Sequence, residues 1–221
     1  MDVCDPVILS YGDSIIRQSD LNILQSSCAW FTDNIISFYF EYCQLDKFSG
    51  SEICFVGPEV TQCIKLMPAE DLCLVLDPLN LRDKRAAFFA VNSNQDASRA
   101  GGTHWSLLFC DIMTNQVFHF DSSRGFNASE ANNLSYKISQ YLRPKSMQKI
   151  IAKEWPVCQQ SNGHDCGLHT IVNLDRLADQ YADMASDSDI VNDSLNQPVP
   201  NSMRENLYNL VIKLKQSQLH I

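Results

Sequence analysis

The chain has 221 residues, of which 45% are hydrophobic, and a formal net charge of −9. A chain of this length buries enough apolar surface for a single domain spanning 1–221 without help from disulfides or a metal. The acidic balance repels phosphate backbones and sets nucleic acid aside as a partner; it suits a basic protein or peptide tail, although taken alone it signals no more than solubility, and no apolar run is long enough to cross a membrane. In chain order, Asp33 is placed to cap a helix through Ile35, Ile36, Phe38, Tyr39, Phe40 and Tyr42, apolar almost all round and therefore buried. Two short helices with proline near the start follow over 58–66 and 68–76. The run 86–91 is continuously apolar and reads as a strand, and 92–102, rich in Asn, Ser and Gly, reads as a loop. Residues 105–111 and 117–121 flank a short connection around Thr114 and Asn115 and form a predicted hairpin. Both of its strands carry apolar residues on both faces, so the sheet is covered on both sides. A helix over 129–142 places Leu134, Ile138, Tyr141 and Leu142 on one face and stops at Pro144. A second loop is expected over 186–201, and Ser202 with Glu205 forms a capping-box pattern before Leu207, Leu210, Val211 and Leu214. The class is α+β, a sheet with helices on each side.

Chemistry concentrates around Cys166. The polar, turn-prone segment from Gln159 to Asp165 gives way abruptly to an apolar helical pattern through Leu168, Ile171, Val172, Leu174 and Leu177. Asp165 reads as the N-cap, which places Cys166 in the first turn, where the helix dipole favours a thiolate. There are nine cysteines, an odd number without framework spacing, and the start of the chain lacks an export signal. These features point to a reducing compartment, cytoplasm or nucleus, in which most of the thiols are small buried side chains.

A nucleophilic cysteine needs a base, and the base needs an orienting group. If the hairpin connection is 112–115, facing residues sum to about 227, and His104 and Asp121 become diagonal neighbours on one face. A shift of one residue would part them. His119, between Phe118 and Phe120, reads as packing, and His164 and His169 are too near Cys166 in the chain to serve easily as its base. The backbone N–H of Cys166 can donate to an oxyanion, and Gln160, six residues upstream, can supply a second donor or sit idle in solvent. Cys158, His164, Cys166 and His169 cluster, but not at a zinc spacing, and neither metal nor cofactor is expected.

The runs Gly101-Gly102-Thr103-His104-Trp105-Ser106, Phe120-Asp121-Ser122 and Gln160-Ser161-Asn162-Gly163-His164-Asp165-Cys166-Gly167 together resemble the ubiquitin-like-protein-specific (sentrin/SUMO-specific) cysteine proteases. The likeness covers nearly the whole chain. Val7-Ile8-Leu9-Ser10-Tyr11 and Arg17-Gln18-Ser19-Asp20 resemble the short deneddylase branch of that family. The resemblance implies a papain-like architecture, with a central helix starting at the nucleophile Cys166 and a sheet bearing the base His104 and its orienting carboxylate Asp121. It also implies Gln160 as the oxyanion donor, and Trp105 and Trp30 as the roof of a channel for a Gly-Gly tail, although either tryptophan can equally be core. Asp33 matches a position that meets the modifier, or it is only a cap. Phe31 and Thr32 stand where the branch commonly has Leu and Asn, and His164 stands where an aromatic or small residue is usual. The implied partner is the neddylation modifier, as precursor and as conjugates with cullins and other proteins, handled by a monomer. SUMO-specific cleavage, a silent binder of ubiquitin-like proteins, and acyl transfer to side chains are the rival expectations.

Overall fold

The computed structural model describes residues 5–96, 98–99, 101–144, 150–183 and 193–218. Its centre is the apolar run read from the sequence. Strand β4 (Ala86–Asn92) pairs antiparallel with β5 (Trp105–Asp111), which pairs antiparallel with β6 (Gln116–Phe120). Two short strands extend this sheet in parallel, β3 (Ile53–Val56) beside β4 and β7 (Lys153–Glu154) beside β6.

Because side chains alternate across a strand, β4 and β5 feed two separate cores. Phe88, Ala90, Leu107 and Phe109 face one cluster, while Ala87, Phe89, Val91 and Leu108 face the other. The first is closed by α1 (Gln18–Gln25), α2 (Asp33–Tyr42), α6 (Cys166–Asp183) and α7 (Met203–Gln218). The second is closed by α3 (Pro58–Leu66), α4 (Cys73–Leu76) and α5 (Ala128–Leu142). Helix α6 sends Ile171, Leu174, Leu177 and Ala178 into the first core, each fully buried, which fixes its N-terminus against the end of the sheet. An N-terminal hairpin, β1 (Val7–Tyr11) and β2 (Ser14–Arg17), forms its own two-stranded sheet and packs on α2.

Local details depart from expectation. Asp33 is the first residue of α2 and not its cap. Thr32 caps instead, accepting from Ile35 N through Oγ1 at 3.4 Å while donating to Asp20 Oδ1 at 2.7 Å. The buried Asp20 carboxylate thus holds the Thr32 hydroxyl at the cap position. The helix expected over 68–76 is broken into a 3-10 turn, Ala69–Asp71, and the single turn α4. Only Leu72 and Leu76 of this stretch are buried, so there is little packing to hold a continuous helix. The loop over 92–102 is irregular where described. Of 186–201, residues 186–192 lie outside the described residues, and Asp193–Asn196 form a 3-10 turn.

Candidate active site

Three segments meet at one end of the sheet. His104 immediately precedes β5, and its carbonyl accepts from Ser93 N at 3.1 Å, continuing the β4–β5 pairing by one rung. Asp121 immediately follows β6. The register pairs Leu107 with Phe120 and Leu108 with His119, so facing residues sum to 227 and the two side chains share a face. His104 Nε2 lies 2.6 Å from Asp121 Oδ1, with both side chains buried. Cys166 opens α6 and is 2% exposed. Its thiol hydrogen-bonds the same imidazole. Since Asp121 occupies Nε2, Nδ1 is the nitrogen that meets sulfur.

The Asp121 carboxylate is held by more than the histidine. Ser123 N donates to Oδ1 at 2.9 Å and Asn127 N donates to Oδ2 at 3.0 Å. Burial alone would raise its pKa. The hydrogen bonds from His104 and these two amides overcome it and hold the carboxyl below the usual carboxylate range. Burial alone would likewise lower the His104 pKa. The hydrogen bonds to Asp121 and Cys166 overcome it, and the imidazole is pushed up to about 9. The protonated form of His104 is therefore favoured, with a carboxylate on one nitrogen and the Cys166 sulfur on the other.

The loop leading to Cys166 is tied to the end of β6. Gln160 N donates to Ser122 O at 2.9 Å, and Gln159 Nε2 donates to Asp121 O at 3.0 Å. The Gln160 side chain is also ordered: Oε1 accepts from Ser122 Oγ at 2.7 Å and Nε2 donates to Asn162 O at 2.6 Å. A primary amide carries two hydrogens, and Asn162 takes one. Asp165 precedes α6 as expected, and its carbonyl accepts from His169 N at 2.9 Å. Its carboxylate, however, bridges Asn162 Nδ2 and Arg204 Nη2, each at 2.7 Å. The expected side-chain cap is thus a tie to another helix. Arg204, from α7, also donates to Ala29 O at 2.8 Å and lies over the Phe31 ring. One guanidinium so joins α7, the residue before Cys166, and the segment carrying Trp30.

Beside this arrangement lies a cleft of about 560 Å³, lined among others by Trp30, Asp33, Asn92, Gly101, Gly102 and Trp105. The two tryptophans differ. Trp30 is 46% exposed and is no core residue, whereas Trp105 is 8% exposed, belongs to the main core and turns part of its surface to the cleft. Gly102 is at φ +101°, and a Cβ there would collide with the Asn92 side chain, so the wall of the cleft depends on its lack of a side chain.

A buried polar chain stands behind the pair, and sequence reasoning missed it. Asn127 Nδ2 donates to Ser106 Oγ at 3.0 Å and to His104 O at 3.4 Å. Ser106 Oγ lies 2.8 Å from His119 Nε2, and His119 Nδ1 lies 2.5 Å from Glu154 Oε1. His119 is fully buried, as its place between two phenylalanines suggested, but it is a polar strut and not only packing. The available signal was that Ser106 and His119 are polar positions each flanked by apolar ones, Trp105 and Leu107 on β5 and Phe118 and Phe120 on β6. Among the described residues, no group of three or more His, Cys, Asp or Glu is arranged to hold a metal ion.

Residues 77–213 match the model of the Ulp1 protease family, C-terminal catalytic domain. The chain is 41% identical to the mouse protein "Sentrin-specific protease 8" over 177 residues, covering 78% of each. It is 31% identical to "NEDD8-specific protease 1" of Arabidopsis thaliana over 217 residues, covering 95% of this chain and 94% of the other. Among solved structures, the C-terminal Ulp1 protease domain in complex with Smt3, the yeast ortholog of SUMO, superposes with a TM-score of 0.70 at 17% identity, covering 96% of this chain and 89% of that one.

Proposed function

The chain belongs to the Ulp1 family of cysteine proteases, and on that premise we propose that it cleaves after the C-terminal Gly-Gly of NEDD8, from the precursor and from conjugates such as cullins. The observation that carries the catalytic assignment is the buried His104–Asp121 pair, 2.6 Å apart, hydrogen-bonded onward to the thiol that opens α6. In this reading the Cys166 thiol gives its proton to His104 Nδ1, and the sulfur attacks the glycine carbonyl as a thiolate. The oxyanion accepts from the backbone N–H of Cys166 and from the free hydrogen of the Gln160 amide. As the C–N bond breaks, His104 Nδ1 gives its proton to the departing nitrogen, leaving a thioester. Water then adds to the thioester with His104 as base, and Cys166 leaves as thiolate.

The tail lies in the cleft between Trp30 and Trp105, where flat rings close over two residues without side chains and turn bulkier ones away. Asp33, on the cleft wall, supplies a carboxylate for a basic residue of the tail. The name of the Arabidopsis relative, NEDD8-specific protease 1, at 31% identity over 95% of this chain, supports NEDD8 over SUMO. The enzyme acts as a monomer in the cytoplasm or nucleus. Side-by-side cleavage of C-terminally extended NEDD8, SUMO and ubiquitin, with Cys166→Ala as control, tests the assignment. NEDD8 is the expected preferred substrate, and preference for SUMO overturns it. A protein that binds NEDD8 but is not labelled by NEDD8 ending in an electrophile is a binder and not a protease.

A further inference from the structure

Several apolar side chains are exposed on this molecule, and most need no explanation: Leu74, Met113 and Ile151 lie on α4, the hairpin turn and the approach to β7. Phe126 differs. It is 54% exposed, yet its ring lies 4.7 Å from the His104 imidazole, centroid to centroid, tilted by 50°. It is also held in place. The turn that carries it wraps the Asp121 carboxylate, which accepts from Ser123 N on one side and Asn127 N on the other. Phe126 N donates to Ser123 O at 2.9 Å, and Gly125, at φ +79°, makes the reversal. The backbone that positions the general base's partner therefore also presents an aromatic face to solvent next to the base.

Phe126 does not line the tryptophan cleft, which contains Trp30, Asp33, Gly101, Gly102 and Trp105. If the acyl tail enters through that cleft, the leaving chain departs past the remaining open side of His104. The leaving nitrogen must reach His104 Nδ1 to take its proton, so the atoms bonded to that nitrogen pass beside Phe126. In an isopeptide those atoms are the four methylenes of a lysine side chain, an apolar stem suited to a phenyl face. In a linear precursor they are the Cα and the polar peptide group of the next residue. We propose that Phe126 is a leaving-group subsite that binds the aliphatic stem of the conjugated lysine and biases the enzyme toward isopeptides. This rests on the protease assignment above.

Two semisynthetic substrates isolate the effect: NEDD8 joined through its terminal carboxyl to the ε-nitrogen of a lysine in a short peptide, and NEDD8 C-terminal methylamide. Both release an alkylamine, and only the first has a stem and a peptide beyond it. Enzyme is counted by labelling with NEDD8 ending in an electrophile. The ratio of kcat/KM for isopeptide over methylamide is expected to fall about tenfold in F126S, the effect of losing contact with roughly two methylenes. In F126L, which keeps an apolar wall, it stays within about threefold of wild type. An unchanged ratio in F126S overturns the proposal. So does an equal loss on both substrates with a displaced alkaline limb of the pH profile, since Phe126 would then act on the imidazolium through its π face. Wild-type protein that cuts neither substrate refutes the deneddylase assignment itself, a result separable from either outcome for Phe126.

Discussion

Replacing Asp121 with asparagine tests the site most sharply, because the side chain keeps its size and loses its charge. His104 Nε2 now gives its proton to Asp121 Oδ1 at 2.6 Å, and Oδ2 accepts from Asn127 N at 3.0 Å. An amide presents one oxygen and one NH2, so it cannot accept on both sides, and one of the two N–H groups meets another donor. The imidazolium loses its anionic partner in a buried setting. His104 stands at about 9 against an ordinary 6.5, which at about 1.4 kcal/mol per pH unit is about 3 kcal/mol in favour of the protonated ring, shared between Asp121 and the Cys166 thiol. D121N is expected to lower kcat/KM at pH 7.5 by about a hundredfold or more, at about 1.4 kcal/mol per tenfold, and to move the alkaline limb of the pH profile from near 9 toward 7. The assay is continuous cleavage of a fluorogenic C-terminal amide of NEDD8 between pH 5.5 and 10, with circular dichroism to verify folding.

Stability follows the same groups with opposite signs. His104, with a raised folded pKa, contributes stability that is complete below pH 6.5 and is lost as pH rises through about 9. Asp121, with a lowered folded pKa, contributes stability that is present above the ordinary 3.8 and is lost as pH falls through its folded value. Urea unfolding of wild type therefore weakens from pH 6.5 to 9, and D121N removes most of that slope. A D121N protein that keeps half its activity, or a wild-type alkaline limb below pH 7.5, refutes the pairing as the source of the site's charge.

Three further variants probe the surroundings. Q160A removes one oxyanion donor and is expected to lower kcat about a hundredfold with KM nearly unchanged, read by steady-state kinetics on the same substrate; a loss confined to KM would make Gln160 a binding residue. G102A forces a side chain into a left-handed backbone and onto Asn92, so KM for NEDD8 rises several-fold while small-electrophile labelling of Cys166 persists. R204M strips the counter-ion from Asp165, whose carboxyl Arg204 and Asn162 hold low against burial, and destabilises the fold by about 3 kcal/mol in urea melts, more than R204K.

The hairpin was legible because two signals agreed: strands of period two, and a turn whose length fixed the sum of facing residues. With a connection of 112–115 that arithmetic made His104 and Asp121 diagonal neighbours, and the observed register has the same sum of 227. The helix at Cys166 was legible from the abrupt change of a polar segment into an apolar helical one. What remained hidden depended on partners far along the chain. Asp33 was the expected cap and Thr32 takes its place where Asp20 holds its hydroxyl, and nothing near Arg204 announces an ion pair with Asp165, 39 positions away. The β1–β2 hairpin carries only a weak alternation, with one side half exposed. Phe126 was visible as an aromatic within Ser-Ser-Arg-Gly-Phe-Asn, a stretch of turn formers, but only the fold shows what it leans on.

The cysteines make the same point chemically. Sequence offers nine thiols and one local reason, a helix start, to prefer any of them. In the fold, burial pushes Cys54 up to about 11 and Cys110 up to about 12, and Cys43 higher still. They remain neutral and inert because apolar surroundings oppose a thiolate. Cys28, Cys63 and Cys73 are exposed, away from any such pairing of burial and chemistry. Cys166 is as buried as the first group, at 2% exposure, yet it faces an imidazolium already fixed by a carboxylate. Lys47, Lys84 and Arg143 act on Cys43, Cys54 and Cys110 without overcoming their burial, whereas Cys166 hydrogen-bonds a histidine that a carboxylate already holds, and that contact makes this thiol the nucleophile.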